Sequence, residues 1–161
     1  MLVHVQVHLS NGLPNIAIVG LADKAVVESK ERVRAALSSF WLSLPPKRIA
    51  VNLAPADLIK EGSHFDLLIA LGLLVAMGAM PSDSVDGMIV MGELALDGTI
   101  TGVNGVLAAA IGAASHQMGL ICPAVNGAEA AWGGDMNIIA APSLMTLINH
   151  LRGEQVLPDP E

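Results

Sequence analysis

The sequence predicts an α+β domain, a mixed sheet with helices on one face. Two observations carry this. Val3, Val5, Val7 and Leu9 alternate with His4, Gln6, His8 and Ser10, the period-two pattern of a half-buried strand. Further along, apolar runs of strand length alternate with stretches of helical spacing, an order that layers helices against a sheet. The 161 residues suffice for one domain with its own core. That core has an unusual palette. Hydrophobic residues make up 53% of the chain, yet Phe and Trp number two each and Tyr is absent, so Ala, Val, Ile, Leu and Met must fill it. So few aromatic rings also remove the stacking platforms that hold single-stranded nucleic acid.

Taken in order, the first strand ends at Asn11-Gly12, a tight-turn signal, and Asn15–Gly20 returns as a second strand. His4 and His8 share the wet face of the first strand. Four residues along a strand span about 13 Å, too far for one ion, so no metal site is assigned. Asp23 can cap a helix running to about Phe40, with Ala22, Val26, Val33, Ala36, Leu37 and Phe40 as its apolar stripe. Glu28 and Arg32 stand at i and i+4 in the favourable order. Pro45-Pro46 blocks any continuation. Lys47–Leu53 is a third strand whose mixed pattern suits an interior place in the sheet.

The next stretch, Asn52 to Leu74, organises the rest. A strand ends, a Pro- and Gly-punctuated loop follows, and an apolar helix opens at Phe65 and runs to Gly78. Ser63 and Asp66 have the spacing of a capping box, with Asp in place of the preferred Glu. A Ser63 cap would make Ser63→Ala cost roughly 0.5–2 kcal/mol. Loops that aim at a helix N-terminus gather free N–H groups, so Lys60, Glu61, Gly62, Ser63 and His64 form a loop of interest; the plainer alternative is a connector. The longest nearly uncharged run, Leu67–Met80, falls short of the roughly 20 residues of a membrane span, and a buried helix is expected. No secretory leader pattern opens the chain. The single cysteine, Cys122, suits a reducing compartment, and a cytoplasmic protein is expected.

Beyond the polar PSDSVDG stretch, Met88–Leu96 and Thr99–Val103 read as a hairpin turning at Asp97-Gly98. Asn104 can cap an Ala-rich helix from about Gly105 to Ser115. Gly72 and Gly112 would let their helices approach each other or the sheet closely. Leu120–Pro123 and Asn137–Ala140 look like short buried strands with a weak helix, Ala128–Trp132, between them. Ser143 caps a last amphipathic helix, Leu144–Leu151. The Pro-rich tail, 153–161, reads as a linker after a single domain over 1–152.

Several of these stretches resemble one known family. KEGSHFDLLIALGLL is similar to the KDGPSAG-plus-helix signature of Lon-type peptidase domains. It is closer still to the KEGS-x-FDLPIAL signature of magnesium-chelatase-like AAA ATPases, the family of competence protein M. Val7–Leu21, Glu28–Leu37, Pro45–Leu58 and Gly92–Ala110 match the second family in order, so the resemblance covers nearly the whole chain. It implies the Lon-like fold of ribosomal protein S5 domain 2, and an ATP-driven ring motor acting on DNA in recombination. ATP and Mg²⁺ would belong to an ATPase module downstream of this domain. The domain's partners would be that module, neighbouring subunits of the ring and, weakly, DNA, but no membrane.

The chemistry of that family can be tested on the residues. Lon-type peptidases need a serine and a lysine that takes its proton. Alignment of the two signatures puts His64 at the serine's place and Leu107 at the lysine's, so no catalytic residue is assigned. A triad of Ser63, His64 and Asp66 is the remaining rescue; sequence neighbours seldom point at one another, and Ser63 serves better as a cap. No Gly-Lys pair occurs anywhere, so no phosphate-binding loop is present and no cofactor is expected in this chain. An active peptidase and a free-standing interaction module are the rival readings. Glu93, in an apolar strand, is either a functional relic or a buried carboxylate that must find a partner, with Lys60 or backbone as candidates.

Charge is divided unevenly. Net charge is −7, but residues 1–60 hold seven of the eight bases and carry +3, while residues 61–161 carry −10. Lys24, Lys30, Arg32, Arg34, Lys47 and Arg48 lie within twenty-five residues. Lys30, Arg34, Lys47 and Arg48 form a candidate binding face for DNA phosphates or an acidic neighbouring subunit; the ordinary alternative is a solvated helix balanced by Asp23, Glu28 and Glu31.

Overall fold

A computed structural model describes residues 4–13, 15–19, 23–39, 47–54, 65–78, 80, 85, 87–134 and 136–151. Its first sheet is built from β1 (His4–Ser10), β2 (Asn15–Val19) and β3 (Arg48–Ala54). The expected Asn11-Gly12 turn does not make a hairpin. β3 inserts between the other two, antiparallel to β1 and parallel to β2. The reason lies in α1 (Asp23–Ser38), which carries the chain from β2 back to a parallel neighbour, as parallel strands require. The interior position expected for the third strand is therefore met. Ile49, Val51 and Leu53 on β3 are buried, as are Val33, Ala36 and Leu37 from the predicted stripe of α1.

Helix α2 (Asp66–Ala76) is the core helix expected from its apolar run. Leu67, Ile69, Ala70, Leu71, Leu73 and Leu74 are all buried. They point around most of the helix circumference, which explains the lack of a polar stripe. No helix among the described residues is long and apolar enough to cross a membrane. The Ser63 loop lies outside the described residues. At the cap position stands Phe65, without a side-chain cap bond, and the early N–H of Leu67 instead donates to the carbonyl of Gly92 at 3.1 Å. A neighbouring strand thus satisfies one of the helix's orphan donors.

The strand expected over Met88–Leu96 divides. β4 (Met88–Val90) joins a parallel sheet with β7 (Gly119–Pro123) and β8 (Ile138–Ala141) in the order β4-β7-β8. β5 (Glu93–Leu94) and β6 (Ile100–Thr101) form the hairpin, a two-stranded sheet of its own. Its turn is where the sequence places it. Gly98 has φ 92°, a conformation that favours glycine, and Asp97 accepts a bond from the Thr99 N–H at 3.0 Å. That bond holds the Asp97 carboxyl below its ordinary range. The architecture is α+β, but three small sheets replace the single one expected.

Two helices follow β6 and β7: α3 (Val106–Ser115) and α4 (Gly127–Ala131), the latter after a 3-10 turn at Ala124–Asn126. The last helix, α5 (Leu144–Leu151), has the predicted bounds and cap, with the Ser143 Oγ accepting the Thr146 N–H at 3.2 Å. Every residue of β7 is buried, because its two faces meet different cores. Ile121 joins the main core of the first sheet, α1, α2 and α5. Leu120 and Cys122 turn the other way, to Val106, Ala110, Ala130 and Ile138. Helices on one face therefore do not describe the second sheet, which is covered on both.

Burial pushes the Cys122 thiol up from its ordinary 9.0 to about 11, with Glu129 adding a smaller push. The folded chain keeps this proton where the unfolded chain loses it, so stability is expected to fall as pH rises between those two values. Native Cys122 should resist alkylation at pH 8 and react on unfolding. Equal labelling rates in the two states would contradict its burial.

Candidate functional site

Among the described residues Asp66 is the one buried carboxylate, with 1% of its surface exposed. The first turn of α2 delivers it to α1 and β5. Its Oδ1 accepts the Ser29 hydroxyl at 2.7 Å and Arg32 Nη2 at 3.1 Å; its Oδ2 accepts Arg32 Nε and, at 3.2 Å, the Leu94 N–H. Four donors around one carboxylate meet the requirement that a buried charge be paired and hydrogen-bonded. The clasp is reciprocal. β5 gives an N–H to Asp66, while Gly92, just before it, takes an N–H from α2. The N-terminus of α2 is thereby fixed against both α1 and the β5–β6 hairpin.

Arg32 is the cation of this cluster. Its hydrogen bond to Asp66 raises its pKa most; burial opposes that, and the fields of Asp66, Glu93 and Glu28 add to it. The helical pair expected with Glu28 is present but long, at 3.7 Å, against a Glu28 side chain that is half exposed. Arg32, expected as a helical partner of Glu28, and Asp66, expected as part of a capping box, are also partners of each other. Ser29, which the sequence reading passed over, completes the set. The signal was available. An acid opening a helix with no polar face has to be matched from another element, and Ser29 and Arg32 stand at i and i+3 on α1.

Glu93 is half buried on β5, and its field acts on Arg32. Its own carbonyl accepts the Thr101 hydroxyl at 3.2 Å. The Lys60 alternative lies outside the described residues, with the rest of the 60–64 loop and His64. Leu107, expected from the resemblance at the place of the peptidase lysine, is 38% exposed near the start of α3. Asn104 does not cap this helix. Gly105 occupies the cap position in a left-handed conformation, without a side-chain bond. Glu129 of α4 instead accepts the Leu107 N–H at 3.0 Å. Asn126 holds Glu129 at 3.3 Å and clamps the Val103 N–H and carbonyl at 3.0 and 3.2 Å. These two residues, missed from the sequence, tie α3 to the turn before α4.

The basic residues take the other flank of α1. Around the helix Lys30 stands about 100° from Ser29 and about 160° from Arg32, away from the Asp66-facing side, and Arg34 lies one turn on. Arg34, Lys47 and Arg48 are exposed and Lys30 is half buried. Because α1 returns the chain to the start of β3, the C-terminal half of α1 and Lys47-Arg48 lie at the same end of the first sheet. Arg48 opens β3 with Lys47 just before it, and Arg34 lies in the C-terminal half of α1, one turn beyond Lys30. Glu28 and Glu31, the acids that could balance these bases on α1, are both exposed, and Glu28 pairs with Arg32. Among the described residues no group of three or more His, Cys, Asp or Glu is placed to hold a metal ion.

The profile of a family described as subunit ChlI of Mg-chelatase matches residues 5–126. This chain belongs to that family. The match runs from β1 through the 3-10 turn after β7, taking in the Asp66 cluster, the basic face and Leu107. Among curated relatives, competence protein ComM of Haemophilus influenzae is 43% identical over 157 residues, 98% of this chain. Proteins called YifB in Salmonella typhimurium and Escherichia coli are 37% and 36% identical over 97% and 98% of it. The chain spans about a third of the length of these relatives, 31% in each case. The resemblance to magnesium-chelatase-like proteins is thereby established at the level of family.

Proposed function

We propose that this chain is a non-catalytic domain of an AAA-type ATPase that moves DNA, and that it serves substrate engagement or assembly. ATP and Mg²⁺ would be held by a module outside it. The observation that carries this reading is the match of nearly the whole chain to a competence protein. Two further observations support the division of labour. By the sequence resemblance, Leu107 stands where a Lon-type peptidase has its lysine, and its side chain cannot take a proton. Arg34, Lys47 and Arg48 are exposed and offer charge that a phosphate backbone would meet.

The test is DNA binding by the chain at low and moderate salt. If Lys30, Arg34, Lys47 and Arg48 each contact a phosphate, counterion release predicts a loss of about two orders of magnitude in affinity for duplex between about 50 and 200 mM salt. Changing Lys30 and Arg34 to Glu should abolish most of the low-salt binding. Sequence preference should be slight, because phosphate contacts carry none. Absence of binding at low salt, or binding indifferent to the charge reversal, removes DNA as the target of this face. An acidic neighbouring subunit is the second reading of the same bases, and it predicts salt-sensitive association of chains without any DNA.

A further inference from the structure

We infer that the outer face of the first sheet is a seat for the sugar–phosphate backbone of duplex DNA. The inference rests on the DNA reading above and adds a surface to it. Ile16, Ile18, Ile49, Val51 and Leu53 are buried in one core with residues of α1 and α2. The strand residues between them therefore point to the opposite face of the sheet. Register arranges that face in rows. Arg48 stands between Ser10 and Asn15, Ala50 between His8 and Ala17, and Asn52 between Gln6 and Val19. Arg48 and its two neighbours are exposed, as are Gln6, His8 and Val19, while Ala17, Ala50 and Asn52 are half-buried.

Charge and relief set this face apart from an ordinary solvated one. The chain has 15 Asp and Glu against 8 Lys and Arg, and protein surfaces ordinarily intersperse both signs. No residue in these rows is acidic. The face opens instead on Arg48, with Lys47 exposed just before it. Its other polar members are Ser, Asn, Gln and His, side chains that donate hydrogen bonds to phosphate oxygens. A Cβ on Gly12 would stand 3.6 and 3.8 Å from the Arg48 Cβ and Cδ, so the chain after β1 braces the aliphatic stem of this arginine. Ala17 lies opposite Ala50, which leaves a low floor between Arg48 and Asn52, about 13 Å apart along β3. A low floor with donors at either end admits a phosphate backbone. No aromatic ring stands in the rows, so single-stranded bases have nothing to stack on, and a duplex met through its phosphates is the occupant that fits. Lys30 and Arg34 belong to a helix packed on the other face of the sheet, so this contact is additional to theirs.

Binding of the chain to a random-sequence duplex, between about 50 and 200 mM salt, tests the face. Gln6→Lys with Val19→Lys adds two cations at the end away from Arg48. Val125→Lys with Ala128→Lys adds two at exposed positions in and before α4, for the same net charge. All four positions are exposed, and an unchanged urea midpoint verifies that each variant folds. The first pair should bind more tightly than the parent and lose about tenfold more affinity across that salt range, the counterion release of two further phosphate contacts. The second pair should keep the parent's salt dependence. Ser10→Glu with Asn15→Glu brackets Arg48 with acids and should weaken binding about tenfold or more. Parent binding that is lost on reversing Lys30 and Arg34, yet indifferent to both changes on the sheet, overturns the face and leaves the DNA reading standing. An equal gain from the two lysine pairs does the same, since it reports net charge alone. Tighter binding to single strands than to duplex also overturns it. No binding by the parent at low salt removes the face together with the reading it rests on.

Discussion

Arg32→Ala is expected to destabilise the chain by about 3–5 kcal/mol, the usual cost of removing one partner from a buried ion pair. The magnitude follows from what is left behind. Asp66 would keep the Ser29 hydroxyl and the Leu94 N–H but lose its only cationic partner among the described residues, inside a site from which water is excluded. The converse change is expected to cost less. Asp66→Ala leaves Arg32 with 18% of its side chain exposed and Glu28 within 3.7 Å, so the guanidinium can turn outward. The asymmetry is the signature of a carboxylate that is buried and a cation that is not. Urea midpoints at constant slope measure both. Equal costs, or a loss below about 1 kcal/mol for Arg32→Ala, would show that Asp66 finds solvent and that the clasp does not hold α2. Replacing both partners by apolar residues should recover part of the loss, because no unpaired charge then remains.

The same cluster marks the limit of what the sequence discloses. Period-two alternation identified β1, and 3.6-residue spacing identified α1 and α5, because those patterns record which face of an element is dry. They do not record which element lies on it. Alternation in β1 and β2 is equally compatible with pairing to each other or to β3, and the α1 crossover decides for β3. The run from Met88 to Leu96 reads as one strand because each half is apolar, although the halves serve different sheets. Local capping signals fared unevenly for a related reason. Ser143 caps α5 in isolation, as its spacing indicates. Asn104 stands where a cap belongs, but Gly105 takes the cap position and Glu129 accepts an early N–H of α3; the Ser63 cap of α2 lies outside the described residues, and its box partner Asp66 is taken by Ser29, Arg32 and Leu94. The basic cluster was legible as composition; which of its members share a face depends on how α1 lies against the sheet, which composition does not record.

Small residues give the last and sharpest contrast. Gly72 and Gly112 both suggested close approach of their helices. Gly72 does make one, since a Cβ there would stand 3.2–3.4 Å from Val7 and Val5 of β1. Gly112 does not: among the described residues nothing beyond its own helix backbone and chain neighbours lies within 4 Å of the place its Cβ would occupy. The tight contact of that region is instead at Gly133, just after α4, where a Cβ would fall 2.5 Å from the Ala110 Cβ and 3.0 Å from Ala110 and Ile111 backbone atoms. Gly112→Ala should therefore stabilise the chain by about 0.5–1 kcal/mol, the ordinary gain in a helix interior. Gly133→Ala should do the reverse. Its φ is not in the left-handed region, so alanine would bring the usual entropic benefit of a stiffer unfolded chain, about 0.4–1 kcal/mol. Overlap with α3 must exceed that benefit, and overpacking costs of about 1–3 kcal/mol are the measured range for such sites. A net destabilisation is the expected sign, with the loss felt where α4 and α3 share the second core through Ala110 and Ala130. Ala110→Gly added to Gly133→Ala removes the Cβ overlap and should recover part of the loss, while the backbone approach to Ala110 and Ile111 remains. Stabilisation by Gly133→Ala alone would mean that α3 and α4 stand further apart than this packing allows.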